Sequence, residues 1–167
     1  GPYVNFYLNT ETFGKSVLGE ILQKKETFGD CAKTKKKIMI ESPGPNTNKP
    51  LHLGHLRNAV IGVSLTRLLE KVGDNVINVD IINDRGVHIN KSLLAYKLFG
   101  NGKEPDKKPD HFVGDFYVLF AKELEGKPEH DAAIQAMLQD WETGKKDVVT
   151  LWKKMRTWAY EGILQTY

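Results

Sequence analysis

The stretch KIMIESPGPNTNKPLHLGHLRNAV, from Lys37 to Val60, constrains this chain more than any other. In it His52-Leu53-Gly54-His55 opens an amphipathic helix directly after an apolar strand and a loop bearing Pro43, Gly44, Pro45 and Pro50. A helix N-terminus presents backbone N–H groups that lack intrahelical acceptors, which makes it a ready anion site. His52 and His55 are three residues apart and share one helical face. Gly54 between them has no side chain, so an adenine or ribose ring has room to lie against the helix backbone. The whole arrangement suits a nucleoside triphosphate.

Around this element the pattern is α/β. Lys37–Glu41 reads as a short apolar strand and 52–72 as a helix with Leu53, Leu56, Val60, Val63, Leu68 and Val72 on its inner face. Residues 76–82 read as a second strand, and Gly73 stands where a helix C-terminal glycine belongs. Both strands are apolar enough to be buried and parallel, joined by a right-handed crossover. Ligands in such sheets bind beyond the carboxyl ends of the strands, where Glu41 and Asn83-Asp84-Arg85-Gly86 both fall.

Upstream, the alternation in YVNFYL, residues 3–8, predicts a strand. Phe13, Val17, Leu18, Ile21 and Leu22 then recur at helical spacing before a turn at Gly29-Asp30. Downstream, a helix over 90–99 precedes the polar, Gly- and Pro-bearing loop GNGKEPDKKPD. Helical periodicity follows over 112–124, 131–142 and 148–167, with Phe116, Leu119 and Phe120, then Ile134, Met137, Leu138 and Trp141, then Leu151, Trp152, Met155, Trp158 and Ala159 inward. The expected organisation is a cap or the end of a preceding domain over 1–36, a nucleotide-binding half-domain over 37–100, and the start of an all-helical insertion over 101–167.

Composition narrows the class. With 167 residues, 40% of them hydrophobic, the chain can bury a core, and no stretch approaches the about 20 apolar residues needed to span a bilayer. The opening GPYVNFYLN has no basic region followed by an apolar run, so no secretory signal is expected. Gly1-Pro2 resembles a protease-cleavage scar, which would put the natural start upstream. One cysteine, Cys31, excludes an internal disulfide and favours a reducing, cytoplasmic setting. A net charge of +3 permits an RNA partner without demanding one, and the run Lys33-Thr34-Lys35-Lys36-Lys37 reads as a solvated loop.

Nucleotidyl transfer concentrates negative charge about the α-phosphorus, so the useful groups are rigidly held donors and positive charge. His52 and His55 supply donors, and Lys49 adds a mobile full charge. A zinc site is not expected: the histidine pair lacks the Glu of H-E-x-x-H, and no C-x-x-C accompanies it.

These residues carry a family resemblance. ESPGPNTNKPLHLGHLRNAVIG resembles the signature region of class I aminoacyl-tRNA synthetases, and among them the arginyl-tRNA synthetases. The likeness continues through VINVDIINDRGVHINKSLLAYKLFG and HFVGDFYVLFAKE, covering about residues 36–167, while the first segment is similar to the end of that family's extra N-terminal domain. An H-x-G-H element, the HIGH motif, is shared with other class I synthetases and some small adenylyltransferases; E-S-P-x-P-N-x-x-K-P-x-H-x-G-H-L-R is more specific.

The resemblance implies a Rossmann-like fold and a parent enzyme that joins arginine to ATP, releases pyrophosphate and esterifies tRNA(Arg). It implies Mg²⁺ accompanying ATP, no prosthetic group, no membrane and a monomeric parent. Position by position, Glu41, Gly44, Asn46 and His55 match the arginine site, His52, Gly54 and His55 match the ATP signature, and Lys49 matches a lysine near the phosphates. A carboxylate at Glu41 suits a cationic substrate as a charge-assisted acceptor.

Two departures accompany it. Many relatives have G-D-W-G where this chain has Asn83-Asp84-Arg85-Gly86, which leaves Arg85 without a role and Asp84 as either a turn former or a ligand contact. The second signature, K-M-S-K-S, is absent; Lys153-Lys154-Met155-Arg156-Thr157 lies inside an amphipathic helix and reads as core plus solvated face. The chain alone is therefore expected to be inactive. A stand-alone adenylyltransferase and a non-catalytic helical RNA-binding module are the other readings, and the third has no use for two histidines at a helix start.

Overall fold

A computed structural model describes residues 2–167. In chain order the elements are α1 (Thr10–Lys24), a 3-10 turn (Lys25–Thr27), β1 (Lys37–Glu41), α2 (Leu53–Lys71), β2 (Asn75–Val79), α3 (Val87–Phe99), α4 (Pro109–Glu123), α5 (Pro128–Glu142) and α6 (Lys146–Thr166). β1 and β2 pair in a small two-stranded parallel sheet, so the expected strand, helix, strand unit is present in a mixed α/β fold.

By its contacts the chain forms two compact units, Gly1–Ile40 with Ser64–Ile77, and Glu41–Val63 with Asn78–Tyr167. In the first, the 31–36 segment is laced to the end of α2. The Cys31 N–H donates to Lys71 O at 2.8 Å, Thr34 N–H to Gly73 O at 2.7 Å, and Lys71 Nζ reaches Asp30 Oδ1 at 2.5 Å. Gly73 ends the helix as its position implied. Its φ is +91°, and a Cβ there would lie 2.2 Å from Ala32 O, so only glycine fits.

In the second unit the hydrophobic core lies among α3, α4, α5 and α6. Tyr96, Phe112, Phe116 and Trp158 meet edge to face, with centroids 5.1 to 5.7 Å apart, around Leu93, Ile134, Met155 and Ala159. Prolines occupy the first turns of α4 and α5, where their missing N–H costs nothing. Met155 is buried on α6, as the reading of that helix required.

Three expectations need correction. Residues 3–8 form no strand; the chain is irregular until Asn9 caps α1 by accepting the Thr12 N–H at 3.0 Å, and Tyr3, Phe6 and Tyr7 are exposed with no partner strand to hold them. The second strand ends at Val79 instead of Ile82, because Asp80 turns its side chain to the neighbouring loop. The apolar face of α2 is not covered: Leu53, Leu56, Val60, Val63, Leu68 and Val72 are all exposed, and no residue of the two strands is fully buried. Periodicity reports that a face is apolar; two strands cannot cover it, and the aromatic residues that build a core sit on α3 to α6.

Candidate active site

The loop from Ser42 to Pro50 runs beside the end of β2 and is pinned at successive points. Ser42 N–H donates to Val79 O at 3.0 Å, Asn83 N–H to Pro45 O at 2.9 Å, and Thr47 N–H to Asn83 O at 3.1 Å. Asn46 and Asn83 form a parallel bridge, and Asn83 Nδ2 donates to Asn46 Oδ1 at 2.9 Å. Asn48, 2% exposed, donates from Nδ2 to His88 O at 3.1 Å and so ties the loop to the start of α3. Gly114 on α4 admits the loop: a Cβ there would lie 2.6 Å from Pro50 Cδ and 3.6 Å from Lys49 Cα. A polar loop thus becomes a rigid shelf before the helix.

The helix start carries an arrangement that sequence reading did not foresee. The N–H groups of its first turn were expected to face a ligand, but two are already engaged by the imidazoles. His52 N–H donates to His55 Nδ1 and Gly54 N–H to His52 Nδ1, both at 3.1 Å. The side chains act as caps, which removes the cost of unpaired donors. Where an Nδ1 accepts in this way, a neutral ring carries its proton on Nε2, which is then the nitrogen available to donate. The rings are 4.0 Å apart between centroids and tilted by 44°. The space left by the missing Gly54 side chain is taken by His52 itself, whose Cε1 would lie 2.9 Å from a Cβ at position 54.

His55 is 8% exposed. Burial, then the charge of His52 and of Lys49, holds its pKa below the ordinary 6.5, with Asp80 acting in the opposite sense. A neutral imidazole is what the capping bond from His52 needs, since His⁺ has no acceptor.

A cleft of about 930 Å³ runs from this helix start along the side of α2 as far as Val63, walled by Ser42, Pro43, His52, His55, Leu56 and Tyr167 among others. Its lining is mainly apolar, with the imidazoles as convergent polar groups, the usual make-up of a small-molecule site. Glu41, Gly44, Asn46 and Lys49 do not line it. Glu41 is exposed at the end of β1 beside Gly44, whose φ is +71°; a Cβ on Gly44 would come within 3.3 Å of Glu41 Oε1. Lys49 is half-buried and near enough for its charge to act on His55.

Arg85 and Asp84 acquire structural partners. Arg85 pairs with Glu142 and lies 5.7 Å from the Trp141 ring centre, Trp141 meets Trp152 at 5.3 Å, and Arg156 lies 5.4 Å from Trp152. Trp152 Nε1–H donates to Asp84 O at 2.7 Å and Arg156 Nε–H to Asp84 Oδ2 at 2.6 Å. This ladder of guanidinium and indole groups fastens the 83–86 segment to α5 and α6.

The match to known proteins decides what this geometry belongs to. The family model described as tRNA synthetases class I (R), catalytic domain, matches residues 17–167. The chain belongs to that family. Curated class I (R) relatives include arginine–tRNA ligases of Treponema denticola, 50% identical over 173 residues, and Borreliella burgdorferi, 46% identical over 171 residues; each alignment covers all of this chain and 29% of the relative. Among solved structures, Thermus thermophilus arginyl-tRNA synthetase aligns with 92% of this chain and 25% of its own, with a TM-score of 0.67 and 29% identity. The Plasmodium falciparum arginyl-tRNA synthetase, at 20% identity and a TM-score of 0.59, shares the fold. This chain therefore spans less than a third of the length of the class I (R) relatives it matches. Among the described residues no helix is long and apolar enough to cross a membrane.

Proposed function

We propose that this chain is the nucleotide-binding first half of a catalytic domain that activates L-arginine with ATP and transfers it to tRNA(Arg). The observation that carries the reading is the paired His52 and His55 at the start of α2, with both Nδ1 atoms engaged internally and both residues lining a cleft. Arginine carboxylate attacks the α-phosphorus of ATP and pyrophosphate leaves. The imidazoles stabilise charge on the phosphate oxygens by hydrogen bonding, without a proton changing hands, and Lys49 adds a full positive charge nearby.

Glu41 faces the cationic end of arginine, with Gly44 and Asn46 framing it, and His55 serves both substrates. Mg²⁺ travels with the triphosphate, held mainly by phosphate oxygens. Residues 37–100 supply the first half of the Rossmann-like fold, residues 1–36 the end of a preceding domain, and the helices from 101 onward the start of an insertion near the tRNA acceptor end, in a monomeric cytoplasmic enzyme. The test is arginine-dependent ATP–pyrophosphate exchange by the complete protein, with tRNA present. Exchange driven by another amino acid, or none at all, overturns the reading.

A further inference from the structure

We propose that Asp80 is a positioning residue: its carboxylate ties the Gly44 turn to the end of the α6 segment and so holds in place the loop that follows Glu41 and carries Asn46. The kinetic part of this inference rests on the proposed arginine activation; the geometric part does not.

Asp80 interrupts the apolar run Val79 to Ile82, where a carboxylate has no reason to stand for strand packing alone. One oxygen accepts the Gly44 N–H at 2.9 Å and the other accepts the Tyr167 hydroxyl at 2.7 Å. The backbone bonds that lace the loop to this segment join Ser42 to Val79 and Pro45 to Asn83, and between them the chain at Gly44 swings away with φ +71°. The Asp80 side chain supplies the missing rung. Gly44 lies beside Glu41, whose Oε1 would be 3.3 Å from a Cβ at position 44, so a displaced turn would change the surroundings of the carboxylate proposed to hold arginine. Tyr167 also walls the cleft beside His52 and His55, so Asp80 links the Gly44 turn, which lies outside that cleft, to one of its walls. A charged acceptor makes both bonds stronger than a neutral one would.

The experiment uses the complete protein that carries this sequence, its Asp80→Ala and Asp80→Asn variants, ¹⁵N-glycine labelling and exchange kinetics. In Asp80→Ala the Gly44 amide should shift and its hydrogen exchange accelerate, with the KM for arginine about ten-fold higher or more and the KM for ATP within about three-fold. Asp80→Asn keeps an oxygen acceptor and should return the arginine KM to within about three-fold of wild type, while Gly44 exchange stays measurably faster than wild type. An unmoved Gly44 amide, an unchanged arginine KM, or an asparagine variant no better than alanine overturns the proposal. Should the alanine variant not fold, equal Gly44 exchange in wild type and Asp80→Asn overturns it. If the wild-type protein shows no arginine-dependent exchange, the functional reading fails, and the Gly44 amide still decides the role of Asp80.

Discussion

Nδ1 of His55 accepts the backbone N–H of His52 at 3.1 Å, so the second imidazole of the pair caps the helix that the first one opens. One bond thereby sets the tautomer of His55, fills a donor at the helix start and requires the ring to be neutral.

Acid should disrupt this cap. The folded pKa of His55 lies below 6.5 because burial, then His52 and Lys49, oppose its charge. The unfolded chain takes up the proton first as pH falls, so stability is unaffected above 6.5 and is lost as pH drops from 6.5 through the folded value. Histidine NMR titration of the complete protein should give His55 a midpoint below that of a free histidine, and the urea midpoint of His55→Gln should depend less on pH between about 7 and 5. A midpoint at or above 6.5 would contradict the assignment.

Gly114→Ala should loosen the shelf. The new methyl would meet Pro50 Cδ at 2.6 Å, and the ring belongs to a loop fixed at several points, so it cannot simply move aside. Overpacking of this kind costs about 1–3 kcal/mol, readable as a lower urea midpoint at unchanged slope. No change in midpoint would show that the loop yields freely.

Trp152→Phe removes the donor to Asp84 O while leaving the ring that Arg156 and Trp141 contact. Leaving that carbonyl unpaired should destabilise the protein by about 1–3 kcal/mol. Near-UV circular dichroism and thermal melting check it; a wild-type melting temperature would reduce the indole bond to decoration.

Glu41→Gln should weaken arginine use and spare ATP. Loss of a charge-assisted bond of about 1.5–3 kcal/mol corresponds to an arginine KM higher by about ten-fold to a hundred-fold. Unchanged arginine kinetics would leave Glu41 as a strand terminus only.

The parts legible in the sequence were those written in local chemistry. The 3.6-residue recurrence of Phe116, Phe120, Met155 and Ala159 marks the buried faces and Gly73 closes α2, whereas the starts of α4 and α5 at Pro109 and Pro128 lie upstream of the 112 and 131 that periodicity indicated. The helix start and its two histidines were found for the same reason. What escaped is long-range or cooperative. Asp80 meets Gly44 and Tyr167, 36 and 87 residues away, and Asn48 meets His88 across 40 residues, pairings no local pattern encodes. The one available signal was a carboxylate inside VINVDII. The internal capping by His52 and His55 was missed because reading the first-turn N–H groups as free ignored the imidazoles as acceptors. The uncovered face of α2 shows the complementary limit: its apolar residues are real, but periodicity does not say what covers them.

The most direct measurement is ATP–pyrophosphate exchange by the complete protein, with tRNA present, for each amino acid in turn and again for His55→Ala. Arginine alone should drive exchange, and the His55→Ala rate should fall by about a hundred-fold or more, the usual loss when one preorganised donor is removed from developing negative charge. Exchange driven by a different amino acid, or a His55→Ala variant as fast as wild type, would contradict the account.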